Sequence, residues 1–192
     1  MLLTFNAYTE SEKHQIEEIR NYNWPKLLKF WSQIKIGNTP GWQKGKALEY
    51  MFVRAFDLGG AHVAYPYINE VNNRAKEQFD GYVFIPELGA GFLIECKDWN
   101  ENASFDELAK LHGRLNYRMP NTFGIFVSKT GFTASASELI YMMHPQNILL
   151  WSFAEIEECF KHHKFVAALM FKYQYAKMTA NPNIAVLDGF NI

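Results

Sequence analysis

Gln78-Phe79-Asp80-Gly81-Tyr82-Val83-Phe84-Ile85, the breaker run Pro86 to Gly91 (PELGAG) and Phe92-Leu93-Ile94-Glu95-Cys96-Lys97 together decide the fold. Two β-prone runs separated by proline and glycine spell a β-hairpin. In the second run, alternation puts Leu93, Glu95 and Lys97 on one face and Phe92, Ile94 and Cys96 on the other. Both faces carry bulky apolar groups, so the strand belongs inside a sheet. An ion removed from water costs several kcal/mol unless it is paired, so charges ending an interior strand need a reason. Two readings are open: a self-compensating Glu95 and Lys97 pair reaching solvent at the sheet margin, or part of a site.

Asp80 bears on that choice. A hairpin centred within Pro86 to Gly89 sets Asp80 opposite Glu95, and a shift toward Ala90 sets it near Lys97. Either register brings the carboxylate to the charged pair. The competing reading makes Asp80-Gly81 itself a turn, since Asp-Gly is a strong hairpin signal. Against it, Asn73 to Glu77 (NRAKE) lacks strand alternation, whereas Tyr82 to Ile85 is β-like.

Outward from the hairpin, the rest of the chain reads as alternating elements. Residues 9–36 are helical, opening with Thr9 and Glu12 at capping-box spacing and restarting at Pro25. Gly37 to Gly41 (GNTPG) is a breaker cluster that separates an N-terminal helical extension, 1–41, from a main domain, 42–192. A helix from Trp42 to Asp57 ends at Gly59-Gly60, and His62 to Tyr67 is a strand that Pro66 confines to an edge or an end. After the hairpin come a helix capped by Ser104 and Glu107, a strand from Thr122 to Ser128, and a helix from Ala134 to Met143. A strand from Asn147 to Trp151 follows, then a helix capped by Ser152 and Glu155 and a last helix over 165–178. An antiparallel hairpin followed by strand-helix-strand steps gives an α/β fold, a mixed sheet flanked by helices.

Composition narrows the function. The 192 residues carry 19 Lys and Arg against 20 Asp and Glu, a net charge of -1, which excludes a basic coat binding nucleic acid by charge alone. Two cysteines, no basic and apolar leader and no long greasy run point to a reducing, cytoplasmic setting without membrane partners. No G-x-x-x-x-G-K-[ST] loop is present, so no nucleotide cofactor is expected. Cys159, His162 and His163 look zinc-like but lack a second ligand pair, and are read as structural.

Glu49 is the third acidic candidate. At ~100° per residue it falls beside Phe56 and between Phe52 and Val53, within the apolar stripe of its helix. It is either an N-terminal structural glutamate, tolerated by the helix dipole, or a member of the site. At ~4 Å and an effective dielectric of 20, each unscreened carboxylate pair costs ~4 kcal/mol. A hard divalent cation relieves such repulsion, and Mg²⁺ accepts one or two carboxylates while keeping waters. Beside a lysine, that chemistry suits phosphodiester hydrolysis.

Asp80, fourteen intervening residues and Glu95-Cys96-Lys97, on a hairpin preceded by a glutamate-bearing helix, resemble the PD-(D/E)XK nuclease superfamily. The runs Gln78-Phe79-Asp80-Gly81, Ile94 to Trp99, Gly124 to Ser128 and Gly131-Phe132-Thr133 are similar to Mrr-like restriction endonuclease domains. The resemblance spans roughly Trp42 to Glu158, and Phe79 stands where the motif's nominal proline would be. It implies a restriction-endonuclease-like fold and a Mg²⁺-dependent DNA endonuclease, with Mn²⁺ as a substitute, serving restriction, defence or DNA repair. By that resemblance, Asp80, Glu95, Glu49 and the Cys96 carbonyl would hold the metal, and Lys97 would assist the attacking water. The alternative is a noncatalytic nucleic-acid-binding or protein-interaction module on the same fold.

Candidate DNA contacts are local. Lys110 and Arg114 recur, with Arg118, on one side of the helix after the charged strand, and Ser128 and Lys129 follow the next strand, where a hydroxyl and backbone donors suit phosphate. Ordinary solvated charges and a plain loop are the competing reading for each. Gln78 shares the Asp80 face, as a site-lining or an edge polar residue. A homodimer is expected, because one active site cuts one strand.

Overall fold

The computed structural model describes residues 9–43, 45–71 and 75–186. In chain order its elements are α1 (Glu10–Arg20), α2 (Trp24–Lys35), α3 (Lys46–Leu58), β1 (His62–Ala64), β2 (Tyr67–Val71), β3 (Ala75–Phe79), β4 (Gly81–Ile85), β5 (Ala90–Lys97), α4 (Phe105–Leu115), β6 (Thr122–Ser128), α5 (Ala134–Leu139), β7 (Ile148–Ser152), α6 (Phe153–His162) and α7 (Phe165–Thr179). Five strands form one sheet in the order β1-β4-β5-β6-β7. The β1–β4 and β4–β5 pairs are antiparallel, and β5–β6 and β6–β7 are parallel. This is the expected mixed α/β sheet, with the charged strand β5 at its centre.

Local chemistry accounts for most boundaries. Thr9, Ser104 and Ser152 each cap a helix reciprocally with a glutamate at the third helical position, and Pro25 sits in the first turn of α2. Gly45, at φ 85°, precedes α3, which therefore begins at Lys46 rather than at Trp42. The hairpin register is the first of the two expected: Gly81 faces Ile94 and Tyr82 faces Leu93, which carries Asp80 toward Glu95.

Two further expectations are corrected. The strand read from His62 to Tyr67 ends at Ala64, and Tyr67 opens β2. The run from Gln78 to Ile85 is not a single strand but breaks at Asp80, and β2 with β3 forms a separate two-stranded sheet. Asp80-Gly81 is therefore neither mid-strand nor a hairpin turn, but a bend that passes the chain from one sheet to the other. The β3 pairing is anchored across the strands by Tyr67 and Phe79, whose rings lie 5.2 Å apart. Cross-strand aromatic pairing contributes where alternation is absent.

The two faces of β5 bury different partners. Phe92, Ile94 and Cys96 join a core with α3, α6, α7 and the first two helices, whereas Leu93 packs with Leu108, Leu111 and Leu115 of α4 and with Phe126. Phe52, Phe56, Trp151 and Phe165 fill the first core edge to face, and each such buried ring contributes about 1.5–3 kcal/mol. Ile16, Ile19, Leu27, Phe30, Trp31 and Ile34 of α1 and α2 are buried in that same core. Trp31 Nε1 also donates to Glu157 Oε2 at 2.6 Å.

The free edge of β7 is partly covered by the C-terminal segment, since Leu150 N–H donates to the Pro182 carbonyl at 3.1 Å. Beneath it, the buried Lys172 is paired with Glu155 and donates to the Ile184 carbonyl at 2.5 Å. Among the described residues, no helix is long and apolar enough to cross a membrane.

Candidate active site

Gly81 sets the distance between α3 and the hairpin. A methyl group there would run into Val53 Cγ2, so the helix sits close against β4 only because the side chain is missing. Glu49, one turn before Val53, is thereby brought to the carboxyl end of β5. It is buried to 8% exposure and accepts from Lys46 Nζ at 2.7 Å. Glu49, Asp80, Cys96, Lys97, Asp98 and Trp99 line a cleft of about 320 Å³ whose floor begins at Gly45.

Asp80 is held by its own chain neighbour across the hairpin: its Oδ2 accepts the Cys96 N–H at 2.8 Å. Glu95 is clamped between two cations, with Oε1 2.5 Å from Lys97 Nζ and Oε2 3.1 Å from Arg114. Lys97 Nζ also stands 5.0 Å from the Trp99 ring centre, a cation-π contact. On the α4 side of Lys97 and Trp99 a second, smaller cleft of about 150 Å³ is lined by Glu95, Glu107, Lys110 and Arg114.

Burial dominates the electrostatics. It pushes the Asp80 carboxyl up to about 8, with Glu49 and Glu95 adding to the rise and the Cys96 N–H and Lys46 opposing it. Glu49 is raised by the same desolvation, opposed by Lys46 and reinforced by Glu95. Burial pulls the Lys97 ammonium down, but Glu95, with help from Asp80, more than offsets that, and the group ends above the usual lysine range. Lys97 is therefore a protonated donor at neutral pH, not a base.

The donor set is all oxygen: two or three carboxylates and the backbone carbonyls of the strand end, which is what a hard divalent ion takes. Burial first, and then Glu49 and Glu95, raise the Asp80 carboxyl, and a cation beside it would oppose that rise. Among the described residues, no three His, Cys, Asp or Glu side chains already converge on one point, because Lys97 and Arg114 occupy Glu95 and Lys46 occupies Glu49. The residues fit the ion chemically, in an arrangement neutralised by the protein's own cations.

The remaining sequence-derived candidates are dispersed. Lys110 is exposed and lines the smaller cleft, and Arg114 is spent on Glu95. Gln78 is exposed on β3, away from the cleft lining, and its carbonyl accepts from Arg114 at 3.4 Å. Ser128 is 1% exposed and its hydroxyl donates to the Gly131 carbonyl at 2.6 Å, which commits it to the turn and not to a phosphate. Lys129 Nζ pairs with Asp98 at 3.0 Å, while its N–H donates to the Lys97 carbonyl at 3.1 Å. Cys159 is buried, His162 pairs with Glu158 and His163 stacks on Trp24, so the zinc-like trio is structural.

Sequence reading missed Lys46, Trp99 and Asp98. Lys46 stands three residues before Glu49 on one helix face, a spacing that marks an ion pair. Trp99 and Asp98 follow Lys97 directly, but only the folded loop turns them to the cleft.

Known structures similar to the chain include a protein of unknown function, AF1548, at 17% identity, covering 56% of this chain and 57% of that one with a TM-score of 0.47. The MspJI restriction endonuclease in complex with a 27-mer oligonucleotide is similar over 79% of this chain and 33% of that one, at 14% identity and a TM-score of 0.40. The chain thus spans little more than half of the first and a third of the second. No curated protein matches it. Residues 43–160, more than half of the chain, match the family model Mrr_cat, described as restriction endonuclease, and they contain Glu49, Asp80, Glu95 and Lys97. The chain with this cleft at the end of its central strand belongs to the Mrr_cat restriction endonuclease family.

Proposed function

We propose that this protein is a divalent-metal-dependent DNA endonuclease that hydrolyses phosphodiester bonds with an activated water. The observation that carries the reading is the meeting of Asp80, Glu49 and Lys97 around one cleft at the end of β5, with Glu95 tied to it through its ion pair with Lys97 and Asp80 pushed up to about 8 by burial and its acidic neighbours. Family membership supports the same reaction class.

In this reading Asp80, Glu95, the Cys96 carbonyl and Glu49 hold Mg²⁺, or Mn²⁺ in its place. When bound, the ion supplies charge neutralisation at the phosphate and a more acidic water. The chain's own residues do the positioning. Asp80 is fixed by the Cys96 N–H, so its free oxygen has a defined direction. Lys97, kept protonated by Glu95, offers a hydrogen bond and a positive charge to the phosphoryl oxygens or to the attacking water. Lys110, exposed on α4 beside the smaller cleft, flanks the phosphate path, while Arg114 and Lys129 are held by Glu95 and Asp98.

The test is nicking of supercoiled plasmid in Mg²⁺ and in Mn²⁺ by wild type, Asp80→Ala and Lys97→Ala. Loss of cleavage in both variants with the fold retained is expected. Undiminished nicking by both variants would falsify the site. Binding without cutting by wild type would favour the noncatalytic module. We also infer a homodimer, since a double-strand cut needs two such clefts; a monomer in light scattering with and without DNA overturns it.

A further inference from the structure

Beside the catalytic cleft lies a larger hollow, about 610 Å³, walled by the loop that joins α2 to α3 and by the segment after Lys97. Its volume falls within the ~300–1,000 Å³ of small-molecule sites. Asp98 lines both this hollow and the catalytic cleft, so a polymer seated in one runs into the other. We propose that the hollow is a subsite for one nucleotide of the DNA, turned out of the duplex next to the bond that is cut. The proposal rests on the endonuclease reading.

The lining selects a base rather than a phosphate. Trp42 offers an apolar wall whose ring is fixed by Phe30 at 5.2 Å and Tyr50 at 5.4 Å, and Ile36, 75% exposed, forms a greasy rim. Asn38 and Asn100 also line the hollow, and an asparagine amide has donors and an acceptor for the edge of a base. Among the described residues the lining holds one cation, Lys129, and Asp98 neutralises it at 3.0 Å, whereas a phosphate site needs uncompensated positive charge. Gly37 and Gly41, at φ 70° and 82°, shape the loop, and among the described residues nothing beyond their chain neighbours lies within 4 Å of where either would carry a Cβ. Ile36, Asn38 and Trp42 precede residue 43, where the family match begins, so this wall is supplied by residues outside that match.

Turning a base out of a duplex costs a few kcal/mol, and least where the base is already unpaired, so a one-nucleotide bulge is favoured over a fully paired duplex by about tenfold or more. The experiment measures fluorescence anisotropy of both labelled duplexes with the full chain in EDTA, for wild type and for Asn38→Trp, which fills the hollow from an exposed position. The expected result is the bulge preference in wild type and its fall to about twofold or less in Asn38→Trp. No preference in wild type, or an unchanged one in a folded Asn38→Trp, overturns the proposal. If Asn38→Trp fails to fold, the double variant Asn38→Ala with Asn100→Ala replaces it, and an undiminished preference there overturns it equally. Nicking is scored separately: absence of cleavage in wild type sinks the endonuclease reading, whereas the binding ratio alone decides the subsite.

Discussion

Asp80→Asn should make the folded protein more stable at pH 8, although it removes a carboxylate from the proposed catalytic site. The folded chain holds the Asp80 carboxyl at about 8 against an ordinary 3.8, chiefly through burial and then through Glu49 and Glu95. The native state therefore keeps a proton that the unfolded chain has released. Stability from this group is complete below about pH 4 and is lost as pH rises toward about pH 8. At ~1.4 kcal/mol for each pH unit, the interval sets a ceiling of roughly 6 kcal/mol. The cleft is open to water, and Lys46 and Lys97 can swing toward the new charge, so about 2 kcal/mol is the expected loss. Asparagine retains an oxygen to accept the Cys96 N–H and carries no charge. Urea unfolding in EDTA at several pH values measures the effect as the difference between variant and wild type, which cancels the six histidines shared by both. Asp80→Asn should match wild type at about pH 4 and exceed it by about 2 kcal/mol at about pH 8. A difference that is flat with pH, or one favouring wild type at the alkaline end, refutes the burial argument.

Other perturbations separate fold from site. Lys172→Met leaves Glu155 buried without its cation and should cost about 3–5 kcal/mol in urea unfolding, with partial recovery when Glu155→Gln is added. Ser128→Ala should cost about 1–2 kcal/mol through the lost bond to Gly131, while DNA affinity by anisotropy stays unchanged. Gly81→Ala should cost about 1–3 kcal/mol by forcing α3 off β4, and nicking should fall as Glu49 is displaced; full activity would show that α3 need not sit so close.

Much of this molecule was legible in one dimension, and the reason is locality. Capping boxes at Thr9, Ser104 and Ser152 announce helices through contacts three residues apart, and the alternation of β5 assigns Glu95 and Lys97 to a face without reference to any other element. The turn left two hairpin registers open, both bringing Asp80 to the charged pair, and the structure has the one that sets it toward Glu95. What sequence did not yield were contacts between segments far apart. The β2–β3 pair was missed because it is stabilised across strands, by Tyr67 and Phe79, and not by alternation within either strand. Gln78 was assigned to the Asp80 face because the break at Asp80, which takes β3 into another sheet, is not written in local propensity. Ser128 looked available until its hydroxyl was seen to close on Gly131.

The amino-acid order alone thus supplied most of the helices, the strands from β5 onward, and the face of β5 on which Glu95 and Lys97 lie. Tertiary structure decided which charged groups share a cleft. Glu49 reaches the cleft because Gly81 lets α3 settle against β4, Arg114 reaches Glu95 because α4 lies over the face of β5 that bears it, and the α2–α3 loop walls the neighbouring hollow because the first two helices dock in the core. Short-range patterns are set by covalent spacing, whereas the meeting of distant charges is set by how apolar faces pack. That packing energy is a sum over the whole chain and is carried by no single stretch of it.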